Sequence, residues 1–346
     1  MPSARSSPGA LDLTRAQILG YRRQVQALDR RLPPGPDSLR RAAWAGLQDS
    51  VPRSGLHALH ARVEGVTPGA WADPSLAQVW GLRYTVHVVP AGDHAPFTLG
   101  RLPEKGRTRE RAEAVANRYQ EHLAGRQLRA DEARRVIGLH PRYASLTGTI
   151  LIRWNGARQP IMWNVPRPEM DPMQARIELV RRYLHFYGPS TAASFARWGG
   201  VDRRAAIGTF DALQPSLLAV RTPLGEGWIL PDDEPAFRAA AGPPATARLL
   251  PSGDPFFLFW GADRELLVPH AARRAALWTS RVWPGAFLVN GEIAGTWRRA
   301  NALVVVAAWR RLTTDERGAV EAEVATLPLP GVILPAIVRW AGALPR

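Results

Sequence analysis

The chain has 346 residues, a formal charge of +15 and no cysteine, and sets 44 arginines against a single lysine, Lys105. Without cysteine there is no disulfide, thiolate zinc site, iron–sulfur cluster or cysteine nucleophile, and no apolar run approaches the ~20 residues that a membrane-spanning helix needs. Arginine is the planar, bidentate partner of phosphates and guanine edges, so this excess, at a pI near 11.3, points to a nucleic-acid partner in the cytoplasm, at the nucleoid, although a GC-rich genome also raises arginine over lysine.

Residues 1–10 read as a disordered tail. From Leu11 to Leu32 the apolar positions Leu13, Ile18, Leu19, Val25 and Leu28 recur at helical spacing, and PPGPDS (33–38) ends that helix and offers Ser38 as the next N-cap. A second helix, 39–48, leads into Gln48-Asp49-Ser50. After Pro52 a third, SGLHALHARV, carries Leu56, Leu59 and Val63 on one face, and LRYTVHVVP (82–90) alternates like a strand. Three helices and a strand are the order of a winged helix, assigned to residues 11–105.

The order returns over 106–172. Residues 107–123 and 129–138 read as helices, and TGTILIRW and QPIMWNV flank Asn155-Gly156, a hairpin signal. Arg153 and Arg158 near its tip make it a candidate wing for a DNA groove, although turn chemistry alone accounts for the Asn-Gly. A third copy spans 173–235, with helices over 173–188, 189–200 and 201–213 and short strands near LLAVRTP and GWILP. Within it GPSTAASFARWGGV is a specific helix-turn-helix signal: Gly188-Pro189 stops one helix, Ser190 caps the next, and Gly199-Gly200 turns into a recognition helix that begins near Arg203 and Arg204.

The stretch 231–247 is rich in proline and alanine and reads as a linker. FFLFWGADRELLV, GAFLVNGEIAGTWRR and NALVVVAAWRRL then read as short strands, before a helix from Thr313 to Leu327. The expected architecture is α+β: tandem winged-helix units, then a β-barrel-like domain over 236–346.

Several segments together, AGLQDSVPRSGLHALHARV, LRYTVHVVPAGD, the third helix-turn-helix, LLPSGDPFFLFWGADR and GAFLVNGEIAGTWRR, resemble the winged-helix DNA glycosylase superfamily typified by AlkZ and YcaQ. Their order and spacing over roughly residues 14–325 carry the resemblance. It implies three winged helices wrapped around damaged duplex DNA, a C-terminal β-barrel, and hydrolysis of the N-glycosidic bond of bulky N-alkylated purines. The family's catalytic signature, Gln-x-Gln or Gln-x-Asp, falls on residues 48–50. Gln48 matches its first position, Asp49 stands where an apolar residue is usual, and Ser50 stands where the second Gln or Asp would be. Arg83-Tyr84-Thr85-Val86-His87 is similar to the family's Arg-Gly-Thr-Leu-His, and Arg62 falls on a recurrent arginine after the motif helix.

A purine alkylated at N7 or N3 is cationic and already a good leaving group. The remaining barrier is the oxocarbenium-like sugar and the placing of a water against C1′. A glutamine amide can orient that water without titrating, and an ionised Asp49 could face the sugar, so Gln48 is expected to orient and Asp49 to supply charge. Polar residues before a proline also make an ordinary turn. Thr85 and His87 share a strand face and are candidates for water or phosphate contact, or for plain packing. His57 and His60 lack a third ligand along the chain, so no metal is expected, nor any cofactor. Glycosylases that also nick the strand use an amine, and the lone lysine lies in a polar loop, so a monofunctional enzyme is expected. The expectation is a monomer acting on double-stranded DNA that contains alkylated purines, N7-alkylguanine or N3-alkyladenine, extending to self-protection against a genotoxic metabolite. The rival is a winged-helix regulator or lesion sensor without chemistry.

Overall fold

The computed structural model describes residues 11–51, 53–156, 158–240, 242, 244, 246–332 and 335–341; the tail expected at 1–10, Pro52 and Ala157 of the hairpin lie outside them. The first elements are β1 (Leu11–Asp12), α1 (Arg15–Val25), α2 (Pro36–Ala42), β2 (Leu47–Gln48), α3 (Ser54–Arg62), β3 (Leu76–Trp80), β4 (Val86–Pro90) and α4 (Ala95–Thr98). Thr14 and Gln17 close a capping box at the start of α1. Helix α2 starts at Pro36 on Gly35, not on Ser38, because the first turn has no use for the missing proline N–H. It also stops at Ala42 rather than 48: Gly46 N–H turns back to Ala43 C=O at 2.9 Å, and Leu47 and Gln48 pair antiparallel with Val88 and His87. Residues 48–50 therefore leave a strand, and Asp49 meets the N-terminal turn of α3 rather than the C-terminus of a helix.

The middle of the chain forms α5 (Arg107–Leu123), β5 (Leu128–Arg129), α6 (Ala130–Ile137), β6 (Ile150–Arg153), β7 (Ile161–Asn164), α7 (Pro172–Tyr187), α8 (Ala192–Gly199), α9 (Arg203–Leu213), β8 (Leu218–Thr222), β9 (Gly225–Ile229) and α10 (Glu234–Arg238). The expected helix pair appears as α8 and α9. Thr191, not Ser190, caps α8, accepting from Ser194 N–H at 3.2 Å. Ser190 is instead taken by the Tyr183 hydroxyl at 2.6 Å and by backbone pairing with Trp228. Asp202 caps α9.

Sheet topology departs from three separate winged units. One six-stranded sheet, ordered β2-β4-β3-β6-β7-β5, joins the strands of the first two expected units, with β3 meeting β6 at Gln78↔Ile152. A second sheet is β1-β8-β9, in which β1 runs parallel to β8. Leu13, Ile18 and Tyr21 bury their apolar face with Val220, Ile229 and Phe237, so the first helix of the chain packs into the 173–238 region rather than with residues 36–90.

Beyond the connecting stretch come β10 (Ala247–Leu250), α11 (Asp263–Leu267), α12 (Ala271–Leu277), β11 (Gly285–Val289), β12 (Glu292–Ala300), β13 (Leu303–Ala308), α13 (Thr314–Ala325) and β14 (Ile337–Trp340). The strand expected within 256–268 is instead a short turn and α11, its aromatics Phe256, Phe257 and Phe259 buried in the main core. The C-terminal sheet is ordered β10-β11-β12-β13-β14, and among the described residues its edges do not meet. It is open, not a barrel. Helix α13 lays Val320 and Val324 against Leu249, Phe287 and Val306, so the apolar face is covered without closure.

Candidate active site at residues 48–50

Strand geometry sorts the three motif side chains. Successive residues of an extended chain point to opposite sides, and the side chains of Gln48 and Ser50 meet: Gln48 Nε2 donates to Ser50 Oγ at 2.7 Å. Gln48 is half-buried and Ser50 exposed. At the other end of the amide, Arg83 Nη2 donates to Gln48 Oε1 at 2.6 Å. The turn Pro251–Gly253 closes over the same group, and a Cβ at Gly253, φ +75°, would stand 2.9 Å from Gln48 Nε2. The amide is thus fixed in orientation on three sides.

Asp49 faces the other way and is sealed, with only 5% of its surface exposed. Its Oδ1 accepts from Gly55 N–H at 2.8 Å and Ser54 Oγ at 3.4 Å, and its Oδ2 from Gln78 Nε2 at 2.9 Å. No cation forms an ion pair with it among the described residues. Burial raises its carboxyl to about 7, against the lowering effect of those hydrogen bonds. A side chain so enclosed cannot face a sugar in a groove, so its expected role as the charge is corrected: Asp49 ties the 48–50 segment to the start of α3 and to β3.

The supporting residues divide in the same manner. Arg62 is fully buried and forms a bidentate pair with Asp254, both bonds at 2.7 Å, with further bonds to Gln26 Oε1 and Ala58 C=O. It joins α3 to the turn preceding Pro255, its guanidinium spent on Asp254 rather than turned outward to a phosphate. Arg83 is half-buried; it and Tyr84 adopt left-handed φ values of 52° and 59°, ending the strand expected at 82 and turning the guanidinium toward Gln48. It also donates to Trp198 C=O and stacks 4.9 Å over Trp260. Burial lowers it to about 10, so it stays charged at neutral pH. Gly200, φ +63°, is pressed on it: a Cβ there would lie 3.1 Å from Arg83 Cα.

Thr85 caps the turn through Leu82 C=O at 2.9 Å. His87 is buried, bonds Thr85 C=O through Nδ1 at 3.1 Å, and is pushed down to about 3 by burial and then by Arg83. A neutral, enclosed imidazole cannot serve as a cationic phosphate contact. His57 and His60 are likewise buried and lowered to about 3, and no group of three metal-ligating side chains occurs among the described residues. Arg153 and Arg158 are exposed on the β6–β7 hairpin, and Arg203 and Arg204 are exposed at the N-terminus of α9. A cavity of about 220 Å³ opens beside Val51 and Ser54, lined also by Ser252, Arg298 and Arg299.

Three residues escaped the sequence reading. Gln78 is a buried amide in the apolar run LAQVW, and that polarity mismatch was its signal. Asp254, which pairs with Arg62, sits in an Asp-Pro cap. Gly253 gave no signal beyond a Ser-Gly turn. Chemically the open face offers an oriented amide, a hydroxyl and a guanidinium, without an ionised base.

The model of the family described as DNA glycosylase AlkZ-like matches residues 41–146 and 151–328. An "Interstrand DNA cross-link repair glycosylase" of Streptomyces sahachiroi is 24% identical over 279 residues, which is 68% of this chain and 73% of that protein. The solved structure of Streptomyces sahachiroi DNA glycosylase AlkZ superposes with a TM-score of 0.78 at 19% identity, over 96% of this chain and all of that one; at this identity the likeness speaks for the fold.

Proposed function

This chain belongs to the AlkZ-like DNA glycosylase family, and we propose that it hydrolyses the N-glycosidic bond of bulky or cationic N-alkylpurines, N7-alkylguanine or N3-alkyladenine, in double-stranded DNA. The observation that carries this reading is the Gln48 amide, held between Arg83 and Ser50 on the open face of β2. Gln48 Oε1 keeps a second lone pair for the O–H of an attacking water, and Ser50, which accepts from Gln48, keeps its own proton to donate to a sugar or phosphate oxygen. Arg83 adds positive charge beside the site and suits a phosphate flanking the lesion.

With Asp49 turned inward, no carboxylate remains to deprotonate water or to balance an oxocarbenium ion. Such a site acts on substrates that carry their own activation, and a purine made cationic by alkylation leaves as a neutral base. Lys105, the only lysine, is exposed in the loop before α5, and Gln48 is held by Arg83 and Ser50 instead. The reaction accordingly ends at an abasic site with an intact strand. The winged-helix arrangement of the DNA-binding segments, action as a monomer, and a role in self-protection at the nucleoid belong to the same proposal. The name of the Streptomyces sahachiroi relative, which refers to interstrand cross-links, supports a large lesion.

The test is incubation with duplexes carrying single N7-alkylguanines of increasing size. Free modified base is released, and strand breaks appear only after alkali. Strand scission without alkali overturns the monofunctional reading. The sealing of Asp49 also favours a second reading, a lesion sensor without chemistry, and tight binding with no base release selects it.

A further inference from the structure

A cavity that does not include Gln48 opens on another face of the molecule. It measures about 530 Å³, within the ~300–1,000 Å³ of small-ligand sites, and opens between α6 and the β6–β7 hairpin. Two indoles, Trp80 and Trp154, line it, and Arg134, Arg135 and Arg158 stand around it. All three arginines are exposed, and none has a carboxylate partner among the described residues. The nearby acid Asp131 is engaged by Arg129 at 3.1 Å. Planar apolar walls beside uncompensated guanidinium groups match a ligand that is flat at one end and anionic at the other.

The cavity is wired to the 48–50 segment. Trp154 N–H donates to Gln78 Oε1 at 2.6 Å, and Gln78 Nε2 donates to Asp49 Oδ2 at 2.9 Å. Val86, which also lines the cavity, accepts from Asp49 N–H at 2.8 Å. On the other flank a run of contacts leads back to Arg83: its neighbour Tyr84 meets Tyr143 ring to ring at 5.9 Å, and Arg142 lies over both rings.

We propose that this cavity is a second DNA site that receives one unstacked nucleotide of the bound duplex, its base against the indoles of Trp80 and Trp154 and its phosphate on Arg134, Arg135 and Arg158. The inference rests on duplex DNA being the ligand, but not on base excision. Through Gln78 and Asp49, filling the cavity braces the segment that holds Gln48.

A duplex with a single bulged 2-aminopurine tests it, with anisotropy reporting binding and 2-aminopurine emission reporting stacking. The wild-type protein quenches the emission. Trp154→Leu, which keeps the backbone bonds to Gln78 and the indole of Trp80, still binds the duplex but quenches the emission less. Arg134→Gln with Arg135→Gln weakens binding of the bulged duplex about tenfold relative to the unbulged one. Emission that does not fall in the wild type, or falls equally in Trp154→Leu, overturns the second site alone. Failure to bind any duplex overturns the DNA reading as well.

Discussion

On the inward side of residues 48–50, Asp49 and Arg62 are enclosed and bonded within the protein, the one by Gly55, Ser54 and Gln78, the other by a buried carboxylate. On the outward side, Gln48, Ser50 and Arg83 are bonded mostly to one another and to uncharged acceptors, and retain capacity for a ligand. The two sides use similar residues for opposite ends: polar and charged groups bonded inward build the scaffold, and a guanidinium with no carboxylate partner among the described residues makes the face.

The sharpest way to break this contrast is Arg62→Ala. It strands Asp254 in the interior, and a loss of ~3–5 kcal/mol is expected in chemical denaturation. A soluble variant of wild-type stability would place Arg62 on the functional side instead. Gln48→Ala is expected to leave the melting temperature unchanged while slowing base release ~10²–10³-fold in single-turnover assays, the scale of losing one oriented hydrogen-bonding group at a reacting centre. Asp49→Asn is expected to retain excision, and an equal loss in both variants would return Asp49 to the chemistry.

Titration sharpens the comparison further. The Asp49 carboxyl moves from 3.8 to about 7 in the folded chain, so folding favours its protonated form. That contribution is full below pH ~4, fades as pH rises, and is gone above pH ~7, a difference on the order of 4 kcal/mol. Denaturation midpoints from pH 4 to 8 should show this slope in the wild type and a flatter one in Asp49→Asn. The smallest effect belongs to the exposed arginines of α9. Arg203→Gln with Arg204→Gln is expected to reduce the salt dependence of DNA affinity by about two phosphate contacts, with excision at saturation unchanged.

Much of the local structure was legible because it is encoded locally. Helix α5 occupies the residues its periodicity marked, and Asn155-Gly156 sits in the turn between β6 and β7. The pairing of Gln48 with Ser50 was available too, since alternation alone places them together, but reading 39–48 as a helix hid it. What joins distant segments was not legible. The merged six-stranded sheet depends on one register contact and on the Gln78 side chain, and the docking of α1 on β8 and β9 spans some two hundred residues. Arg62 shows the same limit: an arginine at a family position looks identical in sequence whether it meets phosphate or Asp254.

Gly200 links these scales. Its bare α-carbon lets the corner between α8 and α9 nestle on Arg83, whose guanidinium in turn grips Gln48. A shift of the helix pair would therefore be transmitted, through one residue lacking a side chain, to the orientation of the amide. A methyl group at position 200 would press on Arg83 and so disturb its hold on Gln48.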